Sequence, residues 1–346
     1  MSANVLVTYG GGLVDPSKHV LMRLAHNLSN SQCFDTVYIG QYSFESLYTP
    51  EFLKEYNPEL VEEVKSKRGT FFGTCRGIYL TDPILFNKAI LCLKERSITT
   101  IVVAGGDGSS RQVAEISDKL RENDINIIFA LPLTIDGING GESIGKVQAV
   151  RESVRQVENI VSTSLKTRDE EKFGVVIVEL QGRNRDDIMA DVLLGFLKKK
   201  KVSDIELSDL LLRVVPANIE TDYFKLIEEV NSSDKQTLIL LSEGAKIKLP
   251  HLYQQINRKV RSLIVGHASQ SNNMTTRTDL KQYNAWIDKV CSHIAENPNN
   301  SYSLVKYQNS IWEAPIDYYA VNNPKVNQIP EIDAFSNYWL KMYMAK

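Results

Sequence analysis

Ile101-Val102-Val103-Ala104-Gly105-Gly106-Asp107-Gly108-Ser109 is a short, β-branched apolar run that ends on two glycines, an aspartate, a third glycine and a serine. The run reads as a buried parallel strand, and the glycines read as a turn that opens a helix. Ser109 and Ser110 are placed to cap the amphipathic stretch Arg111 to Arg121. A phosphate set against such a turn meets unpaired backbone N–H groups and the positive end of the helix dipole. Asp107 cannot bind phosphate directly, because like charges repel; it suits a magnesium ion bridging phosphate oxygens. The alternative is a plain strand-turn-helix corner, with glycines present for sterics and the aspartate as a turn former.

Outward from this corner, short apolar strands alternate with helical patterns, the signature of a parallel sheet with helices on both faces. The expected strands are Val5 to Tyr9, Thr36 to Ile39, Ile101 to Ala104, Ile127 to Leu131, Gly174 to Glu179, Thr237 to Leu241 and Ser262 to Val265. Polar or glycine-rich segments follow nearly every one: Gly10-Gly11-Gly12, Gly105-Gly106-Asp107, Thr134-Ile135-Asp136, Gln181-Gly182-Arg183, Ser242-Glu243-Gly244 and Gly266-His267. Ligands of doubly wound sheets bind at those carboxyl ends. Two such lobes are expected, with a boundary near residues 140 to 150. From about Pro298 the pattern weakens into a Tyr- and Asn-rich tail, and Asp333 to Tyr343 can pack back as a terminal helix.

The 346 residues suffice for two domains. A net charge of −2 and a pI near 6.3 offer no electrostatic footprint for nucleic acid or an anionic membrane. Cys33, Cys75, Cys92 and Cys291 show neither disulfide-framework density nor metal-ligand spacing, which suggests a reducing compartment. The amino terminus lacks a basic region and runs straight into a strand, and no apolar run is long enough to span a bilayer. The expectation is a cytoplasmic protein without membrane or nucleic-acid partners.

Asp136 lies about thirty residues beyond the glycine turn, the span of one βαβ unit, so neighbouring strand ends would bring Asp107 and Asp136 toward one site. One carboxylate could then hold magnesium while the other takes a proton from an attacking hydroxyl, the division of labour of phosphoryl transfer. Asp136 also reads as a simple capping or turn aspartate. Arg183 follows one strand, Arg261 immediately precedes another and His267 ends it. Cations for a phosphate and Glu243 for hydroxyls would suit a phosphorylated sugar, whereas each alone could be a surface ion pair. His19, His26, His251 and His293 read as structural, and Lys198 to Lys201 as a solvated helix terminus. Trp312, Tyr318, Tyr319, Trp339 and Tyr343 read as core or subunit-interface anchors.

In order and spacing, Lys67-Arg68-Gly69-Thr70-Phe71-Phe72-Gly73-Thr74-Cys75-Arg76, Gly105 to Ser109, Pro132 to Asp136, Gln181 to Arg183, Ser242 to Gly244 and Val265 to His267 resemble the phosphofructokinases. The resemblance spans roughly residues 4 to 315 and excludes the diacylglycerol and NAD kinases, which share the Gly-Gly-Asp-Gly turn but not the later segments. It implies two Rossmann-like lobes with mostly parallel sheets. Residues 1–147 with about 269–322 would bind nucleotide, and 148–268 with about 323–346 would bind the sugar phosphate. It implies transfer of the γ-phosphate of ATP to the 1-hydroxyl of fructose 6-phosphate, a glycolytic step, with Mg2+. By this resemblance Asp136 is the base, with Thr134 and Arg183 beside it in catalysis, and Asp107 serves the metal. Gly10, Gly11, Arg76, Gly106, Asp107, Gly108 and Ser109 hold the nucleotide and its metal. Thr134, Asp136, Gly182, Arg183, Glu243, Arg261 and His267 hold the sugar phosphate. An arginine at the position of Arg261 often reaches in from a neighbouring subunit, which implies a homo-oligomer, dimer or tetramer, or a hetero-oligomer with an active homologue. Gly108 and Leu133, where pyrophosphate-using members tend to carry Asp and Lys, favour ATP.

The chain also departs from the pattern. Ile138 stands where a second aspartate is usual, and Gln270 where a second phosphate-binding arginine is usual. Gly12-Leu13-Val14-Asp15-Pro16 replaces the usual first loop, Lys146 stands where an aromatic or small residue is commoner, and effector-binding basic residues thin out around Ser233 to Gln236. Asp136 favours an active kinase. Ile138 and Gln270 favour a weakly active regulatory or structural subunit, and Gln270 also leaves room for a kinase of another sugar.

Overall fold

Asn4–Gly10 (β1) is buried along its whole length, as an apolar run must be when helices cover both faces of a parallel sheet. The computed structural model describes residues 3–10, 14–66, 71–75, 80–133, 145–164, 168–169, 172–182, 185–199, 201–202, 205–266, 277–307, 310–322 and 334–344. After β1 come α1 (Val14–Asn30), β2 (Val37–Gly40), β3 (Leu53–Glu55), α2 (Glu59–Ser66), α3 (Pro83–Glu95), β4 (Ile98–Gly105), α4 (Asp107–Arg121) and β5 (Asn126–Pro132). Next are α5 (Lys146–Ser164), the short ladder of β6 (Arg168–Asp169) with β7 (Lys172–Phe173), β8 (Val175–Leu180) and α6 (Asp186–Leu197). The ladder of β9 (Lys201–Val202) with β10 (Ile205–Glu206) leads to β11 (Leu210–Val215), α7 (Tyr223–Ser232), β12 (Gln236–Ser242), α8 (Leu249–Gln255) and β13 (Val260–Val265). The chain ends with α9 (Arg277–Glu296), β14 (Tyr302–Tyr307), β15 (Ser310–Ala314), α10 (Tyr318–Asn322) and α11 (Ala334–Tyr343).

Two compact units result. The first, Met1–Gly145 with Gln270–Asn323, carries a seven-stranded sheet in the order β15-β14-β5-β4-β1-β2-β3. Its inner pairs are parallel, and β3 and β15 pair antiparallel at the two edges. Leu6, Ile101, Val103, Ile127 and Phe129 project from the sheet into a core shared with Val113, Ile116 and Leu120 of α4 and Phe86 and Leu93 of α3. Asp82 starts α3 by accepting the Ile84 and Leu85 amides at 2.8 and 3.2 Å, with Pro83 at the first helical position.

The second unit, Lys146–Ser269 with Pro324–Lys346, carries a four-stranded parallel sheet in the order β11-β12-β8-β13. Val175, Ile177, Ile239 and Leu241 pack against Leu226 and Val230 of α7 and Leu252 of α8. Arg258 is buried yet satisfied, since its guanidinium donates to the Val230 and Lys235 carbonyls and to Thr237 Oγ1.

The seven expected strands all form, with ends shifted by up to three residues. β11 and the β14–β15 hairpin, where the sequence suggested no strand, are additions. Arg213 fits inside β11 because its guanidinium is bound by the Glu229 carboxylate of α7. The aromatic tail residues serve different ends: Tyr319 is fully buried beside Phe129, while Trp312 on edge strand β15 is 62% exposed.

Candidate functional site

Within the first unit, β1 runs on to β2 on one side, while β4 and β5 lie on the other, so the strand order reverses between β1 and β4. A crevice opens at the carboxyl ends of strands at such a reversal. Gly10 stands directly beside Gly105, and Gly105 beside Pro132, so the three strand ends are level. The Leu133 amide donates to the Gly105 carbonyl at 2.7 Å and fixes the exit of β5 against that of β4.

The helix after β4 begins earlier than the sequence suggested. Gly106 is the N-cap and Asp107 the first residue of α4, so Ser109 and Ser110 lie inside the first turn and do not cap it. Their hydroxyls turn to carbonyls instead: Ser109 Oγ donates to Gly10 O at 3.1 Å and Ser110 Oγ to Asp107 O at 2.8 Å. The Ser109 bond ties α4 to the end of β1, and it explains two of the glycines. A Cβ on Gly10 would sit 1.9 Å from Ser109 Oγ, and one on Gly105 would sit 2.5 Å from it. Gly108 is different, because a Cβ there would meet no atom of the described residues within 4 Å. Asp107 pairs with Arg111 one turn on, at 2.9 Å, with its side chain 36% exposed.

The segment leading to Arg76 is anchored at the same end. Tyr9 of β1 donates its hydroxyl to Gly73 O, the Tyr42 amide donates to Phe72 O at 2.8 Å, and Gly73 takes a left-handed φ of +70°.

In the second unit the carboxyl ends of β8, β12 and β13 are level, with Ser242 and Val265 flanking Leu180. Backbone bonds continue past them: Gln181 N–H to Val265 O at 3.1 Å, and Glu243 N–H to Leu180 O at 3.0 Å. The Gly182 amide donates to Glu243 Oε2 at 3.1 Å, which brings two sequence-chosen residues together. Gly182 has φ +114°, and a Cβ would lie 2.9 Å from Ile188 Cδ1, so only glycine suits this turn. Lys248 Nζ donates to Glu243 O at 3.2 Å. Glu179, which the sequence reading did not select, faces the same group: burial, with Glu243 nearby, pushes its carboxyl up.

Arg261 is a correction. It does not precede the strand but is its second residue, exposed, and level with Val176, whereas Val265 is level with Leu180. Its backbone therefore stands ~13 Å of strand from the end that bears Gly182 and Glu243. Gly11, Arg76, Thr134, Asp136, Ile138, Arg183, His267 and Gln270 lie outside the described residues. So does the position where Asp136 would meet Asp107.

Among the described residues there is no cluster of three or more His, Cys, Asp or Glu able to hold a metal by itself. Asp107 alone fits the case in which one carboxylate and ligand phosphates share an ion. No helix among the described residues is long and apolar enough to cross a membrane.

Comparison with known proteins agrees with this architecture. The phosphofructokinase family model matches residues 5–281. An ATP-dependent 6-phosphofructokinase of Staphylococcus epidermidis is 27% identical over 215 residues, 60% of this chain and 61% of that protein. ATP-dependent 6-phosphofructokinase 7 of Arabidopsis thaliana is 24% identical over 192 residues, 55% of this chain and 36% of that protein. The chain thus spans between about a third and two thirds of the length of such curated relatives. Among solved structures, a pyrophosphate-dependent phosphofructokinase from Marinobacter aquaeolei superposes with a TM-score of 0.74 at 15% identity, over 100% of this chain and 92% of that one. The Pichia pastoris phosphofructokinase in its T-state gives 0.70 at 17% identity, over 93% of this chain and 36% of that one.

Proposed function

The chain belongs to the phosphofructokinase family, and on that premise we propose that it transfers the γ-phosphate of ATP to the 1-hydroxyl of fructose 6-phosphate. The observation that carries this reading is the level set of strand ends at the β1/β4 reversal, where α4 opens on Gly106 and Asp107 with Gly108 unobstructed. An anion approaching there finds the first amides of a fifteen-residue helix. Gly10, Gly11, Arg76, Gly106, Gly108 and Ser109 are assigned to the nucleotide, with Asp107 as the carboxylate for Mg2+. When bound, the ion neutralises charge on the transferring phosphate. Asp136 is assigned as the base for the sugar hydroxyl, and Thr134 and Arg183 as its neighbours in the reaction.

Gly182 and Glu243 are assigned to the sugar, and Arg261 and His267 to its 6-phosphate. The distance of Arg261 from Gly182 supports its serving the site of a neighbouring copy, and hence an oligomer. ATP is favoured over pyrophosphate because Gly108 leaves space and Leu133 is a buried apolar side chain that offers no cation. An assay of purified protein with Mg2+, fructose 6-phosphate and either donor tests this: product should form with ATP and not with pyrophosphate. The opposite preference refutes the donor assignment, and turnover of a different sugar refutes the acceptor.

Ile138 favours a second reading, a subunit that binds these ligands but turns over slowly. Removing a carboxylate from a site whose catalysis is mostly positioning and electrostatics lowers rate more than binding. Ligand-dependent thermal stabilisation with slow turnover would support it, while turnover of ~1–100 per second would eliminate it.

A further inference from the structure

Lys146 opens α5, the end of a helix where a positive charge opposes the dipole. Two carboxylates of α6 offset that cost: its ammonium donates to Asp187 Oδ2 at 2.7 Å and lies 2.9 Å from Asp191 Oδ2. Asp187 is also gripped by Arg185, whose Nε and Nη2 donate to its two oxygens at 2.7 Å each. The four charges cancel in pairs, and three are mostly shielded, with Arg185, Asp187 and Lys146 side chains 14%, 23% and 30% exposed against 43% for Asp191. Burial alone would lower the Lys146 ammonium, but its bonds to Asp187 and Asp191 more than offset this and push it up. Burial likewise opposes ionisation of Asp187, yet Arg185 and Lys146 hold its carboxyl well below the usual carboxylate range.

The cluster sits at one end of a turn that matters. The Arg185 amide donates to Gly182 O at 3.0 Å, and the Gly182 amide is in turn held by Glu243. Asp186, next to Asp187, accepts the Ala217 and Asn218 amides at 2.7 and 2.9 Å, so α6 is tied to the exit of β11 as well. Of these anchors, only Lys146 joins the turn to α5.

We propose that Lys146 is a positioning residue: through Asp187 and Arg185 it fixes the backbone of Gly182 and Arg185 in the arrangement that receives an anionic sugar phosphate. The receiving role rests on the function proposed above; the fixing of the turn does not. Lys146 touches no ligand itself, its charge being spent on Asp187 and Asp191. An arginine could reach the same two carboxylates, and a methionine of similar length could not.

Two readouts on the whole chain test this. Amide hydrogen exchange of Lys146→Met should show Gly182 and Arg185 exchanging about tenfold faster than in the parent, with the β8 amides unchanged. Calorimetry should show fructose 6-phosphate bound about tenfold more weakly and ATP bound as before, and Lys146→Arg should restore both. Unchanged exchange at Gly182 and Arg185 overturns the proposal. Faster exchange with unchanged sugar-phosphate affinity overturns its receiving role. A parent that binds no fructose 6-phosphate refutes the proposed acceptor and that receiving role together, while exchange still decides whether Lys146 fixes the turn. Should Lys146→Met fail to fold, Asp191→Asn, which removes the more exposed of the two lysine contacts, should give a smaller change in the same direction, and no change at all overturns the proposal.

Discussion

The strand ends of the two units are built by different physics. In the first, Gly10 and Gly105 close on the Ser109 hydroxyl, and α4 starts on Gly106 with no side-chain cap, so shape and backbone polarity make the site. In the second, Glu243 holds Gly182 while Lys146, Arg185 and Asp187 hold Arg185's end of the turn, so charge makes it. A site of backbone and close packing should be indifferent to pH and intolerant of added volume. A site of ion pairs should show the reverse.

The largest expected effect separates chemistry from construction. If Asp136 takes the hydroxyl proton beside a site that other groups build, Asp136→Asn should cost ~2–4 decades of turnover and leave substrate affinity and thermal midpoint nearly unchanged. Turnover close to the parent's would remove Asp136 from the mechanism. Ile138→Asp tests the missing charge in the same segment and should raise turnover about tenfold, read in the same coupled assay. A parent already fast, and a variant no faster, would show that the departure is compensated.

Next in size is the packing of the first unit. A methyl on Gly105 would meet Ser109 Oγ at 2.5 Å and the Gly10 backbone nitrogen at 3.2 Å, so Gly105→Ala should lower stability by about 1–3 kcal/mol in denaturant unfolding. Gly108→Ala is the control. Among the described residues it meets nothing within 4 Å, so stability should hold while ATP affinity falls, because that space is where the phosphates are assigned. Equal stability losses at both positions would mean that Gly105 and Gly108 are packed alike.

Much of this was legible in the sequence because parallel strands buried on both faces are near-continuous apolar runs. Val5 to Tyr9, Ile101 to Ala104 and Thr237 to Leu241 therefore announced themselves, and the glycine and acidic segments after them marked the carboxyl ends. β11 stayed hidden because Arg213 breaks its apolar run, and its acceptable burial depends on Glu229 from another element. β14 and β15 stayed hidden because an edge strand such as Ser310–Ala314 keeps polar residues outward and lacks the buried pattern. The serines at 109 and 110 look like caps in sequence, but a hydroxyl chooses among near neighbours, and Gly10 O is a neighbour only once β1 and β4 pair. Arg261 looked like the residue before β13 because Ser262 to Val265 is the apolar end of the run, but the strand begins one residue before it. Lys146 was visible as an oddity, but its partners lie some forty residues on, beyond the reach of local pattern.

The smallest effect is the most diagnostic of the second unit, because its sign and pH window follow from one carboxyl. Asp187 is held below its ordinary value, with burial opposed by Arg185 and Lys146, so its pairing contributes stability above the unfolded pKa of about 3.9. That contribution is lost as pH falls through the lower folded value. Lys146→Met removes one of the two cations, so the variant should be about 1 kcal/mol less stable than the parent at pH 7, a modest figure because the pair is partly exposed. The same gap should persist at pH 5 and at pH 4, because the unfolded carboxyl is common to both proteins, and shrink only as pH falls through the low folded value of Asp187. Asp186 runs the other way, since burial outweighs the Ala217 and Asn218 amides and pushes its carboxyl up, but both proteins share that term and it cancels in the difference. Urea unfolding of parent and variant from pH 7 down to pH 1 measures the gap directly. A gap that stays constant across this range would mean that Lys146 contributes by packing its stem, not by its charge, and the two units would then be built alike.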